Sequence, residues 1–378
     1  MNTEKRHDLV VKVAEYSHDE LANVARHYDM SEEFPEKEIK HLFQMEILEK
    51  LYAQGDDFTL HDYLSTIRLI CKNFPALGSI LLTQESHCVF PIATFGTTKQ
   101  KEKYFHRGLV GDIYGCFALN EPITGSDLEE MATIAIETPD GWEITGQKDY
   151  ISNAPVADVL LIAAKVRSLD GTEDYGVFVI DKKTPGVKVG RMEQKMGIKA
   201  LPVAGIKLDH VQLSKEQLLG GIIDGRKQIG YILNRNRLAV AAQSLGIAGG
   251  ALDRGLTYVS YDRNIGKRLI DMQTTQFKLA DIETQIYAAR ALLMQGLDNN
   301  DTQDDRFVAM TKLTASNLAI ETTETIINLT GGYGYMRNND IERFVRDAKI
   351  TSIYGSSSDR LRKIIAQPWV ERKSIRKR

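Results

Sequence analysis

The chain has 378 residues, of which 43% are hydrophobic and 26% charged, the balance of an ordinary globular protein. At roughly 150 residues per domain, this length predicts two or three domains with a core large enough to need no disulfide or structural metal. Lysine and arginine number 48 and aspartate and glutamate 51, a formal net charge of -3, which argues against a nucleic-acid binder that neutralises phosphates.

The cysteines and the N-terminus bear on the compartment. Cys71, Cys88 and Cys116 are scattered, and no CxxC pair or Cys/His cluster has zinc spacing, so we expect a reduced, cytoplasmic protein without a metal site. The N-terminus carries charges where a signal peptide needs an apolar run of at least about seven residues. No stretch approaches the roughly 18 apolar residues of a membrane span. We therefore expect neither secretion nor membrane insertion.

Hydrophobic periodicity divides the chain into three parts. Residues 1–113 have apolar residues at helical spacing, including a helix predicted over Ser79–Phe95. In residues 114–217, short runs rich in β-branched residues alternate with Gly, Asp, Asn and Pro, which predicts an antiparallel β domain. Residues 218–378 return to the helical period. The long helices predicted there span residues 231–261, 272–297 and 306–329. This order predicts an α+β chain of three domains rather than alternating βαβ units.

Generic catalytic motifs are missing from the sequence. It contains no GxGxxG after a predicted strand and no GxxxxGK[ST], so neither a Rossmann fold nor a P-loop is indicated. It also lacks a GxSxG elbow and an HExxH zinc motif. Chemistry must therefore be sought in more specific segments.

Four segments, in a fixed order, carry such a signal. They are CFALNEPITGSD at 116–127, KDYISNAPVAD at 148–158, KMGIKA at 195–200 and GGYGYMRNNDIERFVRDAKITSIYGSSS at 331–358. With the helix–β–helix pattern, they resemble the acyl-CoA dehydrogenase family of flavoproteins over essentially the whole chain. The resemblance implies an N-terminal helical domain, a central antiparallel β domain and a C-terminal four-helix bundle, assembled as a homodimer or homotetramer.

The resemblance implies FAD as the cofactor, with FMN as an alternative. A flavin ring needs backbone donors, hydroxyls and a flat side chain against one face. Carried over from the family, the contacts near the ring are Leu119, Asn120, Ser126, Tyr150, Ile151 and Ser152. The contacts carried over for the rest of the cofactor are Arg263, Gln273, Asn328, Gly332, Ser357 and Asp359. Asp262 stands where the family has the arginine that reaches the FAD pyrophosphate of a neighbouring subunit, so Arg263 is the substitute.

The general base is where the sequence departs from the family. Family members remove the proton α to a thioester carbonyl with a glutamate, while hydride passes from the β carbon to flavin N5. The two family positions for this glutamate correspond to Gly355 and Asn236, and neither side chain is basic. The catalytic residue is thus left unknown. Glu85 and His87, on the helix expected to line the substrate site, are the remaining candidates.

The implied activity is α,β-dehydrogenation of an acyl-CoA or other acyl thioester. The residues carried over for substrate binding are Ser126, Asn234, Arg237, Tyr354 and Gly355. The electron partner is an electron-transfer flavoprotein or a flavin reductase. Because a base is missing from both positions, two alternatives stay open: a monooxygenase that uses reduced flavin and oxygen, and a flavin-binding protein without catalysis.

Overall fold

The computed structural model describes residues 8–125, 127–262, 268–299 and 301–375. The helices before the sheet are α1 (Asp8–Tyr16), α2 (Ala22–Ser31), α3 (Glu36–Gln44), α4 (Ile47–Tyr52), α5 (Leu60–Cys71), α6 (Pro75–Gln84), α7 (Phe90–Phe95), α8 (Thr98–Gln100) and α9 (His106–Leu109). The strands are β1 (Gly115–Ala118), β2 (Ile134–Thr138), β3 (Gly141–Ser152), β4 (Val159–Arg167), β5 (Glu173–Asp181), β6 (Val187–Val189) and β7 (Val203–Ser214). The helices after the sheet are α10 (Gly225–Ser260), α11 (Gln273–Asp298), α12 (Asp305–Thr330), α13 (Gly332–Tyr335), α14 (Glu342–Thr351) and α15 (Ser358–Ile375). This order confirms the predicted fold class of helical, β and helical domains.

A wide turn interrupts the helix that was predicted over Ser79–Phe95. The helix begins earlier, at Pro75, and α6 continues into α7 through a π-helical turn at Glu85–Val89. Pro91 explains the turn, because it has no N–H to donate to the carbonyl of His87 four residues earlier and its ring would clash with that carbonyl. The sequence pattern did not predict the turn, because the one extra residue that a π turn adds to a helix hardly changes the spacing of the apolar residues.

The seven strands form one sheet, and its pairing corrects the antiparallel prediction at two places. The pairs β2–β3, β3–β7, β4–β5 and β6–β7 are antiparallel. In contrast, β1 and β2 both run parallel to β4, β1 along Val159–Ile162 and β2 along Lys165–Arg167. The two strands therefore follow one another along a single edge of β4. The loop between them leaves the sheet and returns to it at the gap.

Helix α10 is the centre of the C-terminal bundle and joins it to the rest of the chain. Its 36 residues span about 54 Å, longer than the predicted 231–261 at the N-terminal side. It packs against α11, α12 and α14 of the bundle, against α5 and α6 of the N-terminal domain and against β5 of the sheet. Most of its residues are buried, including the polar residues Asn234, Asn236, Arg237 and Gln243, which therefore face other protein groups rather than water. Within the described ranges, no helix is long and apolar enough to cross a membrane.

Two adjacent charges on α14 tie the three domains together. Arg346 pairs with Asp29 of α2 through two hydrogen bonds of 2.6 and 2.9 Å and with Glu342 of its own helix. Asp347 accepts a hydrogen bond from the backbone N–H of Ile198, in the segment before β7. The pair therefore holds the N-terminal and β domains to the bundle, in addition to any role within it.

Candidate active site

A cavity of about 340 Å³ lies where the three domains meet. It is enclosed by the π turn, the ends of β1 and β3, the middle of α10 and the loop after α14. Its lining residues are His87, Phe117, Leu119, Asn120, Gly125, Tyr150, Ile151, Ser152, Leu233, Asn236, Ile353, Tyr354, Gly355, Ser356 and Ser357. Most of the residues carried over for the flavin ring and two of those carried over for substrate binding, Tyr354 and Gly355, thus face one space.

A β-bulge near the end of β3 presents a flat ring at the cavity. The register of β3 against β7 shifts between Lys148 and Ile151, and Tyr150 in the bulge has a left-handed φ of 56°. This conformation is uncommon for a bulky side chain, and it points the ring out of the sheet with 63% of the residue exposed. Strain of this kind persists only when the surrounding structure holds it, and it concentrates at functional sites.

A buried ion pair fixes the bulge to the segment after β1. Lys148 donates to Glu121 at 2.8 Å and to the carbonyl of Leu119 at 3.1 Å, and both charged side chains are buried. Burial opposes ionisation of Glu121, but hydrogen bonds from Lys148, Thr133 and Ala132 outweigh it and lower its pKa to about 2. Burial lowers the pKa of Lys148 to about 8, with Glu121 opposing the shift. The pair therefore remains ionic at neutral pH and sets the spacing of the two flavin-side segments.

These groups fit a flavin. Within the described part of the chain, no hydrogen bond engages the side chains of Asn120 or Ser152, although both line the cavity. A Cβ added at Gly125 would meet nothing within 4 Å, which leaves open space beside the loop. An exposed aromatic ring, free polar groups and an open glycine loop are what a planar, hydrogen-bonding ring system requires.

The two positions that correspond to the family's glutamate lie against each other. A Cβ built on Gly355 would be 2.9 Å from Oδ1 of Asn236 and 3.4 Å from Cγ2 of Val240. Gly355 has a φ of 61°, a left-handed backbone that favours glycine. A side chain at 355 would therefore be strained and crowded, whereas Asn236 has ordinary helical geometry within α10.

Glu85 is removed as a candidate base. Its carboxylate is fully buried and is held by Arg235 through three contacts of 2.6, 2.9 and 3.1 Å. The hydroxyl of Tyr52 donates a further hydrogen bond of 2.6 Å. Glu85 is not among the residues that line the cavity. Its role is to anchor the π turn to α10.

His87, the other candidate, does line the cavity. Burial lowers the pKa of its imidazole to about 4, so the ring is neutral at pH 7. The ring lies 5.7 Å from that of Phe117, and it makes no hydrogen bond with the part of the chain that the structure describes. A neutral, unpaired imidazole remains available to a bound molecule.

Two of the expected substrate-binding residues lie behind the cavity wall instead of facing it. Arg237 and Asn234 are buried in α10 and do not line the cavity. Arg237 donates to Oγ of Ser356 at 3.0 and 3.3 Å and to Asn234 at 2.7 Å, and Asn234 in turn donates to Asp305. The direction of their side chains away from the cavity could not be read from the sequence. They hold the loop that contains Gly355.

Tyr354 lines the cavity and is anchored beneath it. Its hydroxyl donates to Oε1 of Gln243, whose Nε2 donates to Oγ of Ser79 at 2.6 Å. Burial raises the pKa of the Tyr354 hydroxyl well above its usual range, so the hydroxyl stays protonated. Tyr354 is thus a rigid wall of the cavity.

A buried lysine, Lys312, was missed by the sequence analysis. Its ammonium is fully buried in α12 and donates to the carbonyl of Ser356 at 2.7 Å. Ser356, with a φ of 85°, is therefore held by two cations, one on its carbonyl and one on its hydroxyl. The available signal was a charged residue on the apolar face of α12, in register with Val308 and Ala315.

The remaining predicted cofactor residues that the structure describes are not part of the cavity lining. Gln273, Asn328, Gly332 and Asp359 are exposed, and none of them lines it. Asp359 instead pairs with Arg362. Ser126 and Arg263 fall outside the described residues. A single chain therefore assembles the ring-side residues but not those expected at the other end of FAD.

Lys312 should give the protein a distinct pH dependence. Burial, together with the nearby charge of Arg237, lowers its pKa from 10.5 to about 7. Between these pH values the unfolded chain binds more protons than the folded one, so stability rises with pH. Relative to Lys312→Met, the thermal midpoint of the wild type should rise as the pH is raised from 7 to 10. The corresponding gain in the free energy of unfolding is on the order of a few kcal/mol. Parallel midpoint curves for the two proteins would contradict this.

Comparison with known proteins identifies the family. The chain matches the family models for the N-terminal domain of acyl-CoA dehydrogenase at residues 3–112, the middle domain at 116–211 and the C-terminal domain at 224–369. It is 31% identical over 370 residues to a 3-(aryl)acrylate reductase of Clostridium sporogenes, which covers 96% of this chain and 98% of that protein.

Two solved structures show the same architecture. Butyryl-CoA dehydrogenase of Megasphaera elsdenii superposes with a TM-score of 0.91 at 29% identity, over 98% of this chain and 99% of that one. A chain solved in work on the electron transferring flavoprotein of Acidaminococcus fermentans superposes with a TM-score of 0.90 at 30% identity, over 98% of each chain. The chain therefore belongs to the acyl-CoA dehydrogenase family of FAD-dependent oxidoreductases.

Proposed function

We propose that this protein oxidises or reduces the Cα–Cβ bond of an acyl thioester, with FAD as the hydride carrier. One observation carries the proposal. A single cavity is bounded on one side by Leu119, Asn120 and the Tyr150–Ser152 segment, and on the other by His87, Asn236 and Gly355. The first set suits a flavin ring and the second lies where the family binds the acyl group.

FAD would be held by residues from two subunits. The ring would lie along Leu119, Asn120, Ser126, Tyr150, Ile151 and Ser152, with Ser357 at the far side of the cavity. The adenylate half would reach Arg263, Gln273, Asn328, Gly332 and Asp359 of a neighbouring chain, because none of the last four lines the cavity of its own chain. When bound, FAD supplies the two-electron acceptor or donor; FMN remains the alternative if the distant contacts are weak.

His87 is the residue that we propose to exchange the proton at the α carbon. It lines the cavity beside Asn236 and Gly355, and its imidazole is neutral at pH 7. The carboxylate of Glu85 is committed to Arg235. A neutral imidazole accepts a proton from bound substrate only when it is within hydrogen-bond reach, and its low pKa makes it a weak base. We therefore expect slow oxidation compared with family members that carry the glutamate.

The similar proteins and the free cysteines support the proposed reaction class, redox partner and cellular setting. The proteins named above include a butyryl-CoA dehydrogenase and a 3-(aryl)acrylate reductase, which disfavours the oxygenase and non-catalytic alternatives. The neighbour solved in work on an electron transferring flavoprotein supports such a protein, rather than a flavin reductase, as the redox partner. Cys71, Cys88 and Cys116 are all unpaired, in keeping with a reduced cytoplasmic setting.

The surface of the bundle supports self-association. Its exposed large apolar residues include Leu256, Tyr261, Met272, Phe277, Tyr287, Tyr333, Tyr335 and Met336. Where such residues are contiguous, they mark an interface. We propose a homodimer or homotetramer, and we expect sedimentation velocity at micromolar concentration to give a mass of two or four chains. A monomer would contradict both the interface and the shared adenylate site.

The function is tested by flavin spectroscopy. We expect the purified protein to be yellow, with one non-covalent flavin per chain, identified by mass after denaturation. Under anaerobic conditions, one of a panel of saturated acyl-CoAs should bleach the flavin, or an enoyl-CoA should reoxidise the reduced protein. A colourless protein that takes up neither FAD nor FMN at micromolar concentration would refute the proposal. So would a flavoprotein that exchanges electrons with no acyl thioester.

Variants at the base positions test the proton step. Asn236→Glu places a carboxylate on unstrained helical backbone, so flavin reduction by a saturated acyl-CoA should rise at least about tenfold. Gly355→Glu should gain less, because its left-handed φ and the 2.9 Å approach to Asn236 oppose the side chain. His87→Gln should reduce the residual rate of the parent about a hundredfold.

The control for the base variants is Glu85→Gln. It breaks the ion pair with Arg235, so it should lower the thermal midpoint of unfolding as well as the rate. His87→Gln should lower the rate at nearly unchanged thermal midpoint. A parent rate that is insensitive to His87→Gln would exclude the imidazole from the proton step.

A further inference from the structure

The amide of Asn236 is held in one orientation. Oγ of Ser86 donates its single proton to the carbonyl of Leu82 at 2.6 Å, so it accepts the hydrogen bond of 3.1 Å from Nδ2 of Asn236. Exchange of the amide nitrogen and oxygen would place two acceptors against each other. Nδ2 is therefore directed at the π turn, and Oδ1 is directed at Gly355.

The oxygen of this amide is an acceptor without a donor. It lies 2.9 Å from the position that a Cβ on residue 355 would occupy, beside the space that glycine leaves open. Asn236 is a lining residue of the cavity, and in the described ranges no group donates to Oδ1. The residue is otherwise buried, with 2% of its surface exposed. A bound molecule that fills the cavity would cover this oxygen.

Covering the oxygen has a different cost for different acyl chains. A purely aliphatic chain would remove Oδ1 from water and leave it without a hydrogen bond, which is unfavourable for a buried acceptor. A chain with a hydroxyl or amino group would replace the lost water contact. Sites built around a buried polar group reject ligands that lack its partner more strongly than apolar pockets reject a hydroxyl.

The neighbouring groups do not supply the missing donor from within the protein. Tyr354 is turned away, since its hydroxyl is bonded to Gln243. The guanidinium of Arg237 and the ammonium of Lys312 are both directed at Ser356. The imidazole of His87 offers one donor and one acceptor when neutral, and it too faces the cavity. Among the described lining residues, the acyl end of the cavity therefore offers polar groups but no charge.

Resting on the proposed function, we infer that the substrate is an acyl thioester with a hydroxyl or amino group close to its reacting carbons, received by Oδ1 of Asn236. The missing glutamate is thus accompanied by a gain in recognition. The side chain that replaces the base at position 236 selects the acyl group by a hydrogen bond.

The test compares matched ligands on the flavin-loaded holoenzyme. Calorimetry would measure the dissociation constants of butyryl-CoA, its 2-hydroxy, 3-hydroxy and 2-amino derivatives, and the corresponding methyl ethers. We expect at least one hydroxy or amino derivative to bind at least tenfold more tightly than butyryl-CoA. Its methyl ether, or for an amine its N,N,N-trimethylammonium form, should lose this advantage because the donor is gone. The derivative that binds best identifies the position and kind of donor.

The variant Asn236→Leu provides the protein-side control. It removes the acceptor while keeping similar volume, so the preference should fall to about twofold or less, mainly through tighter binding of butyryl-CoA. If butyryl-CoA binds the wild type as tightly as every hydroxy and amino form, the inference is wrong, and flavin reduction by butyryl-CoA would leave the proposed function intact. If no thioester binds at all, both fail. Should Asn236→Leu not fold, the comparison of hydroxyl with methyl ether on the wild type decides alone.

Discussion

The ion pair between Glu85 and Arg235 is the contact on which the arrangement of the cavity depends. Both charges are out of water, and the cost is offset because Arg235 binds both carboxylate oxygens and Tyr52 donates to one of them. The pair clamps the π turn onto α10 at one level. Successive residues of a helix are turned by about 100°, so Asn236 reaches the cavity and Arg237 reaches the loop of Ser356 from the same clamp. One interaction thereby sets two walls of the site.

Local patterns in the sequence predicted the fold class and the segments that line the cavity, but not the partners of their side chains. Leu119, Asn120 and the segment Tyr150–Ser152 could be identified because each motif is continuous in sequence. The partner of Glu85 lies 150 positions away, and nothing near either residue points to the other. Lys312 was overlooked for the same reason, since its acceptor is a backbone carbonyl 44 positions later. The parallel pairing of β1 and β2 likewise depends on tertiary contacts.

The electrostatics of the site follow from the absence of a carboxylate at positions 236 and 355 and from two buried basic residues nearby. Neither Gly355 nor Asn236 brings a carboxylate, while two basic residues, Arg237 and Lys312, are buried near the cavity, and burial lowers the pKa of both. Both side chains donate to Ser356, Arg237 to its hydroxyl and Lys312 to its carbonyl, and neither Arg237 nor Lys312 lines the cavity. The surface offered to the acyl group is therefore uncharged, with the polar side chains of His87 and Asn236 beside apolar residues such as Leu233. Discrimination in such a site comes from hydrogen-bond geometry more than from charge.

β4 fixes the distance between the two ends of the flavin-side loop, because β1 and β2 both pair with the same edge of this strand. β1 ends opposite Ile162 and β2 begins opposite Lys165, a separation of about 10 Å along the strand. The intervening chain, residues 119–133, has to leave the sheet and return to it across this short interval. The pairing with β4 fixes where this loop begins and ends, but not how many residues it contains. Extra residues in that loop would enlarge the cavity rim without disturbing the sheet. A single insertion inside β4 would instead turn its buried side chains to the opposite face and carry both attachment points with it.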